Sequence, residues 1–102
     1  MSARFLFETG ASGLAPEAVE SVRSVAATAG LNPGRQVVIS GFHDSTGDAA
    51  RNAELARDRA IAVRDALAAA GVDPTRLVLE RPRETLGGAD GTMARRVDVS
   101  LR

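Results

Sequence analysis

Hydrophobic and polar positions along the chain fall into four short runs and two stretches of helical period. Arg4-Phe5-Leu6-Phe7, closed by Thr9-Gly10, predicts a brief strand. Gly10 to Leu14 is a glycine- and serine-containing loop. Pro16 suits the first turn of a helix, with Glu17 and Glu20 near its positive end. Val19, Val22, Val25 and Ala26 recur at helical spacing until Gly30 and Pro33 stop the run. Gln36-Val37-Val38-Ile39-Ser40 is dense in β-branched residues and predicts a strand buried on both faces. A polar loop, Gly41 to Asp48, leads into a long alanine-rich helix from about Ala49 to Ala70, where Gly71 supplies the stop. After a turn at Asp73-Pro74 come a strand at Leu77–Glu80 and a loop from Arg81 to Met93. Arg96 to Leu101 then alternates with period two, as a half-buried strand does.

The predicted order is β-α-β-α-β-β. Strands separated by helices imply right-handed crossovers, and so an α/β (α+β) two-layer sandwich with a mixed sheet and helices on one face. The expectation is a single domain spanning 1–102, cut from a longer protein whose export signal and tether lie elsewhere.

Composition narrows the chemistry. The only aromatics are Phe5, Phe7 and Phe42, so aliphatic side chains must form most of the core. Thirteen basic residues, all arginine, balance thirteen acidic ones. No basic block or aromatic platform stands out, which argues against nucleic acid as the partner. There is no cysteine, hence no disulfide, thiolate zinc site or cysteine nucleophile. No apolar run approaches the roughly eighteen residues that predict a membrane helix.

The long helix carries one residue out of place. At about 100° per residue, Ala56, Ala60, Ala62, Val63, Ala66, Leu67 and Ala70 share one broad arc with Leu55. Arg51, Glu54, Arg57, Asp58, Arg64 and Asp65 form the solvated face opposite. Arg59 lies near the middle of the apolar arc, and Asn52, two turns earlier, shares it. A guanidinium keeps its proton, so burying it requires a compensating group. Asp44, in the loop entering the same helix, is the nearest candidate in chain logic, beyond the carboxyl end of a strand where ligands collect. From the residues alone, an internal Asp44–Arg59 ion pair is the leading reading and a ligand site the second.

The same residues resemble a known family. Gly41-Phe42-His43-Asp44-Ser45-Thr46-Gly47, Asn52 and Leu55-Ala56-Arg57-Asp58-Arg59-Ala60 resemble the OmpA-like pattern G-H-T-D-x-x-G, a spaced N and L-S-x-x-R-A. Phe7 to Leu14 resembles its F-x-x-G-x-x-x-L opening, Val72 to Leu77 its G-V-x-x-x-R-L segment, and Arg95-Arg96-Val97-Asp98 its closing N-R-R-V-E strand. The resemblance implies a periplasmic module that binds the peptidoglycan stem peptide, tethered to a membrane-anchored portion outside this chain. It implies no enzyme activity, no cofactor and no membrane contact by the domain itself. It further implies that Asp44 takes the ammonium and Arg59 the carboxylate at the free zwitterionic end of diaminopimelate. Asn52 and Thr46 are expected to add polar contacts. Arg96 completes the expected ligand-binding set, although strand alternation leaves open which of Arg95 and Arg96 faces the site.

The chain departs from the pattern at Phe42-His43, at Ala56, at Glu80-Arg81-Pro82-Arg83 and across Asp90 to Arg96. These departures define the alternative: a divergent OmpA-like fold serving as a structural or protein-interaction domain without peptidoglycan binding. Other chemistry finds little support. His43, Asp44, Ser45 and Thr46 share one loop and rarely converge as nucleophile, base and orienting group. One histidine among scattered carboxylates is too little for a transition-metal site. Ser45 with Asp48 matches a capping box, which predicts a helix-capping role for Ser45 or Thr46.

Overall fold

A computed structural model describes residues 2–43, 48–81 and 95–102. The strands are β1 (Ser2–Leu6), β2 (Val37–Gly41), β3 (Leu77–Leu79) and β4 (Arg96–Leu101), and the helices α1 (Ala18–Leu31) and α2 (Ala49–Ala69). They form a four-stranded sheet in the order β1-β4-β2-β3. β4 runs antiparallel to both β1 and β2, and β3 is parallel to β2. The expected mixed sheet with helices on one face is therefore present.

Alternation sorts the sheet into two faces. Phe5, Val37, Ile39, Val97 and Val99 form one core with Val22, Val25 and Ala29 of α1 and Ala60, Val63 and Leu67 of α2. The intervening residues Arg4, Val38, Asp98 and Ser100 occupy the face without helices. Val38 is nevertheless only 3 % exposed, which accounts for the β2 pattern reading as buried on both sides. Glu80 and Arg102 bond to the β2 segment from either side, through Ile39 O and Gln36 O, and their side chains form an ion pair.

Element ends follow local chemistry, with corrections to the sequence expectations. α1 begins at Ala18 rather than at Pro16, because Ala18 and Val19 donate to Ala15 and Pro16 in tight three-residue turns ahead of the helix. α1 also runs one residue past Gly30. α2 is capped by Asp48, whose carboxylate accepts from the Arg51 backbone N–H at 3.1 Å, so Asp48 holds the capping place expected of Ser45 or Thr46. Ser45 and Thr46 lie outside the described residues. Gly71 ends α2 as expected, at φ +104°, with Gly71 N–H on Ala68 O and Val72 N–H on Leu67 O. This is the Schellman arrangement, and Val72 seals it by packing into the core. The Asp73-Pro74 turn is one turn of tight helix, Pro74–Arg76, with Asp73 accepting from Thr75.

Gly41 fixes the seat of α2. A Cβ on this glycine would stand 2.2 Å from the Ala56 carbonyl oxygen, so helix backbone and strand backbone touch there. With Ala56 held against the end of β2, Arg59 is set one turn further along, over the sheet.

Candidate functional site

Arg59 occupies the place that the helical wheel predicts, inside the protein and 3 % exposed. Its guanidinium reaches across to the loop between β1 and α1. Nε donates to Ala11 O at 2.7 Å and Nη2 to Glu8 O at 3.1 Å, while the Cζ atom stands 5.4 Å from the centre of the Phe7 ring. Carbonyls and a ring face attract the cation without neutralising it. Among the described residues no carboxylate forms an ion pair with it. Burial, and secondarily the charge of Arg95, push the Arg59 pKa below that of a free guanidinium, yet arginine stays protonated throughout the working pH range.

Arg95 is the neighbour that sequence reasoning left undecided. Its Nε donates to Phe7 O at 3.1 Å, and its backbone carbonyl accepts from Phe7 N–H at 2.9 Å. Arg59 and Arg95 therefore converge on the end of β1. The signal was present in the alternation: Arg95 shares the parity of Val97 and Val99, whose side chains fill the core.

Arg96 has the other parity and lies on the open face. Its Nε sits 3.2 Å from Asp98, and its guanidinium stacks 3.9 Å above the Phe42 ring. Asp98 also accepts from Arg4 across the strands at 3.1 Å. The sheet thus separates Arg96 from Arg59. Asn52 is half-buried in the first turn of α2, two turns before Arg59 and on its side of the helix. Asp44 and Thr46 lie outside the described residues.

A concavity of about 590 Å³ opens on the other flank of α2, toward the β3 edge, between Gly41, Ala53, Ala56 and Leu79, with Arg57 and Arg81 also lining it. Neither Arg59 nor Arg95 contributes to it. No group of three or more His, Cys, Asp or Glu among the described residues is arranged to hold a metal. No described helix is long and apolar enough to cross a membrane.

Solved structures share this architecture. The peptidoglycan-associated lipoprotein from Burkholderia pseudomallei superimposes with a TM-score of 0.84 at 22 % identity, covering 97 % of this chain and 89 % of its own. The OmpA-like domain of FopA1 from Francisella tularensis gives 0.82 at 18 % identity, covering 99 % and 73 %. The periplasmic domain of Helicobacter pylori MotB gives 0.79 at 18 % identity, covering 98 % and 74 %. None of the curated proteins matches the sequence. The sequence profile of the OmpA family matches residues 6–95, and the chain belongs to that family.

Proposed function

We propose that this domain binds peptidoglycan non-covalently through the diaminopimelate of its stem peptide, anchoring a larger envelope protein to the cell wall in the periplasm. The observation that carries this reading is Arg59: a permanent cation 3 % exposed, whose partners among the described residues are all neutral. A carboxylate on the ligand would supply the missing charge through a guanidinium fork that suits it. Asp44 takes the ammonium of the same zwitterionic end, with Asn52 and Thr46 adding polar contacts at the helix entrance. The family, and the name of the Burkholderia lipoprotein, support a wall-associated role. The domain acts by holding its ligand, and no residue is assigned to bond making or breaking.

The test is sedimentation of the purified domain with insoluble sacculi, with and without free diaminopimelate as competitor. Asp44→Ala and Arg59→Ala are each expected to weaken binding by about 2–5 kcal/mol, since each strands a charge in the complex. Sedimentation that is absent, or that neither substitution changes, defeats the proposal.

One observation favours a second reading. Arg59 ties α2 to the β1–α1 loop through Glu8 O and Ala11 O, as a purely structural strut would. On that reading the domain is a structural or protein-interaction module. Arg59→Ala then lowers thermal stability and sacculi are ignored by the unaltered domain.

A further inference from the structure

The outer edge of β3 and the concavity beside it lie apart from the proposed diaminopimelate site. β3 ends the sheet, so among the described residues no strand covers that edge. In the parallel ladder Glu80 N–H donates to Ile39 O, which fixes the phase of the strand. Val78 and Glu80 turn their backbone groups toward β2, and Leu79, between them, turns its N–H and C=O outward. Leu77 has the same phase as Leu79 but commits its N–H to Pro74 O, so the open donor of the edge is that of Leu79. A strand edge left open in this way is a template for a further strand.

The side chain at this position is open too. Leu79 lies opposite Ile39 in the ladder, on the helix-covered face, and is 36 % exposed. It lines the concavity of about 590 Å³ together with Ala53, Ala56 and Ala60 of α2 and the side chains of Arg57 and Arg81. A mostly apolar cleft of that size with a few charged groups suits a ligand side chain. Its charge is positive. Among the described residues neither Arg57 nor Arg81 forms an ion pair with a carboxylate, Glu80 being paired with Arg102. Glu54, three residues before Arg57 on the exposed face of α2, forms no ion pair with it. A second copy paired edge to edge would bring the same arginines together at a cost, whereas an acidic chain meets them with opposite charge.

We propose that the β3 edge and this concavity dock an extended acidic peptide segment of a partner protein, which adds as a fifth strand beside β3. Main-chain hydrogen bonds to Leu79 hold the segment, and alternate side chains give the selectivity. An apolar side chain packs on Leu79, and a carboxylate two residues away, on the same face of the added strand, meets Arg57 and Arg81. The inference stands independently of the diaminopimelate reading.

The experiment titrates the isotope-labelled domain with acetyl-Ser-Thr-Leu-Thr-Glu-Thr-Ser-amide and follows its backbone amide signals by NMR. Shifts should centre on Leu79, Arg81 and the Ala53–Arg57 stretch of α2. Peptides with Gln for Glu, or Ser for Leu, should bind several-fold more weakly. N-methylating the Leu and Glu amides, or instead those of the Thr residues flanking Glu, blocks one edge of the peptide at a time. One of these two peptides should lose binding and the other keep it. Arg57→Gln and Arg81→Gln, both at exposed positions, should each weaken the Glu peptide about two- to fivefold and leave the Gln peptide unchanged, as exposed charge pairs allow. Sacculus sedimentation by both variants should match that of the unaltered domain.

Equal affinity for the Glu and Gln peptides, or indifference to N-methylation at either edge, overturns the inference. So do shifts centred on Arg59 and Phe7, or loss of sacculus binding in Arg57→Gln or Arg81→Gln, which assign the surface to the wall ligand. Two other occupants have their own signatures, and each overturns it as well. A second copy of the chain gives concentration-dependent shifts along β3 without peptide, and residues 82–94 of the same chain leave no peptide able to bind.

Discussion

Arg59 packs against Phe7 with its charge facing carbonyls, so packing and electrostatics act on it in opposite directions. Removing the guanidinium relieves its desolvation and the repulsion from Arg95, but leaves Glu8 O and Ala11 O without their donors. Stranded acceptors cost about 1–3 kcal/mol in total when they are shielded from water. Arg59→Met, which keeps the volume beside Phe7, is therefore expected to lower the melting temperature by roughly 5–15 °C for a chain of this size. Thermal scans measure this directly. An increase in melting temperature would show that desolvation of the charge outweighs both carbonyl contacts. Ligand rescue separates site from strut: diaminopimelate should raise the melting temperature of the unaltered domain and leave Arg59→Met unmoved.

Asp73 makes a residue-scale prediction with a defined sign. Hydrogen bonds from the backbone N–H and then the hydroxyl of Thr75, with a smaller contribution from Arg76, hold its carboxyl below the ordinary aspartate range. A carboxyl with a depressed folded pKa adds stability above its unfolded value of about 4, and loses it as pH falls through the folded value. Asp73→Asn should therefore flatten the acid limb of the stability curve below about pH 4 and leave its shape unchanged near neutrality. An unaltered acid limb would show that Asp73 titrates alike in both states.

At the scale of elements, the long helix was the most legible part of the sequence. Its apolar arc located Arg59, and Gly71 marked its end, because both signals are local and repeat with a fixed period. The wheel was less accurate at the last turn, where Ala70 is exposed. Its N-terminus was harder to read, because Ser45, Thr46 and Asp48 all have capping chemistry and only the chain's path selects the one beside the Arg51 N–H. The contact between Gly41 and Ala56 had no local signal, since it joins residues fifteen positions apart. It yields a sharp prediction. Gly41→Ala forces α2 away from β2 and should cost about 1–3 kcal/mol through overpacking. Chemical denaturation should reveal the loss as a lowered midpoint with little change in slope. Gly71→Ala tests a different cause, left-handed backbone with open space around it, and should cost about 1–2 kcal/mol. Equal stability in either variant would refute the corresponding account.

For the whole molecule, fold class could be read from the sequence, but the placement of β4 between β1 and β2 could not, because strand order is set by pairings between distant segments. That placement decides which of two adjacent arginines belongs to the proposed site. β4 lies near the middle of the sheet, so consecutive residues are divided between the helix-covered core and the open face. Arg95 goes with Phe7 and Arg59, and Arg96 with Phe42, Asp98 and Arg4. The expected effects of Arg96→Gln follow from that division. It weakens a contact with an aspartate and a ring on the open face, so stability should fall by about 1–2 kcal/mol. Sacculus binding should be retained, since the sheet stands between Arg96 and Arg59. Arg95→Gln, on the Arg59 side of the sheet, should show the opposite pattern, with stability nearly kept and sacculus binding weakened. Both variants, measured together by thermal unfolding and sedimentation, place the binding surface on one side of the sheet. Loss of wall binding in Arg96→Gln at full stability would move that surface to the open face and leave Arg59 a structural joint.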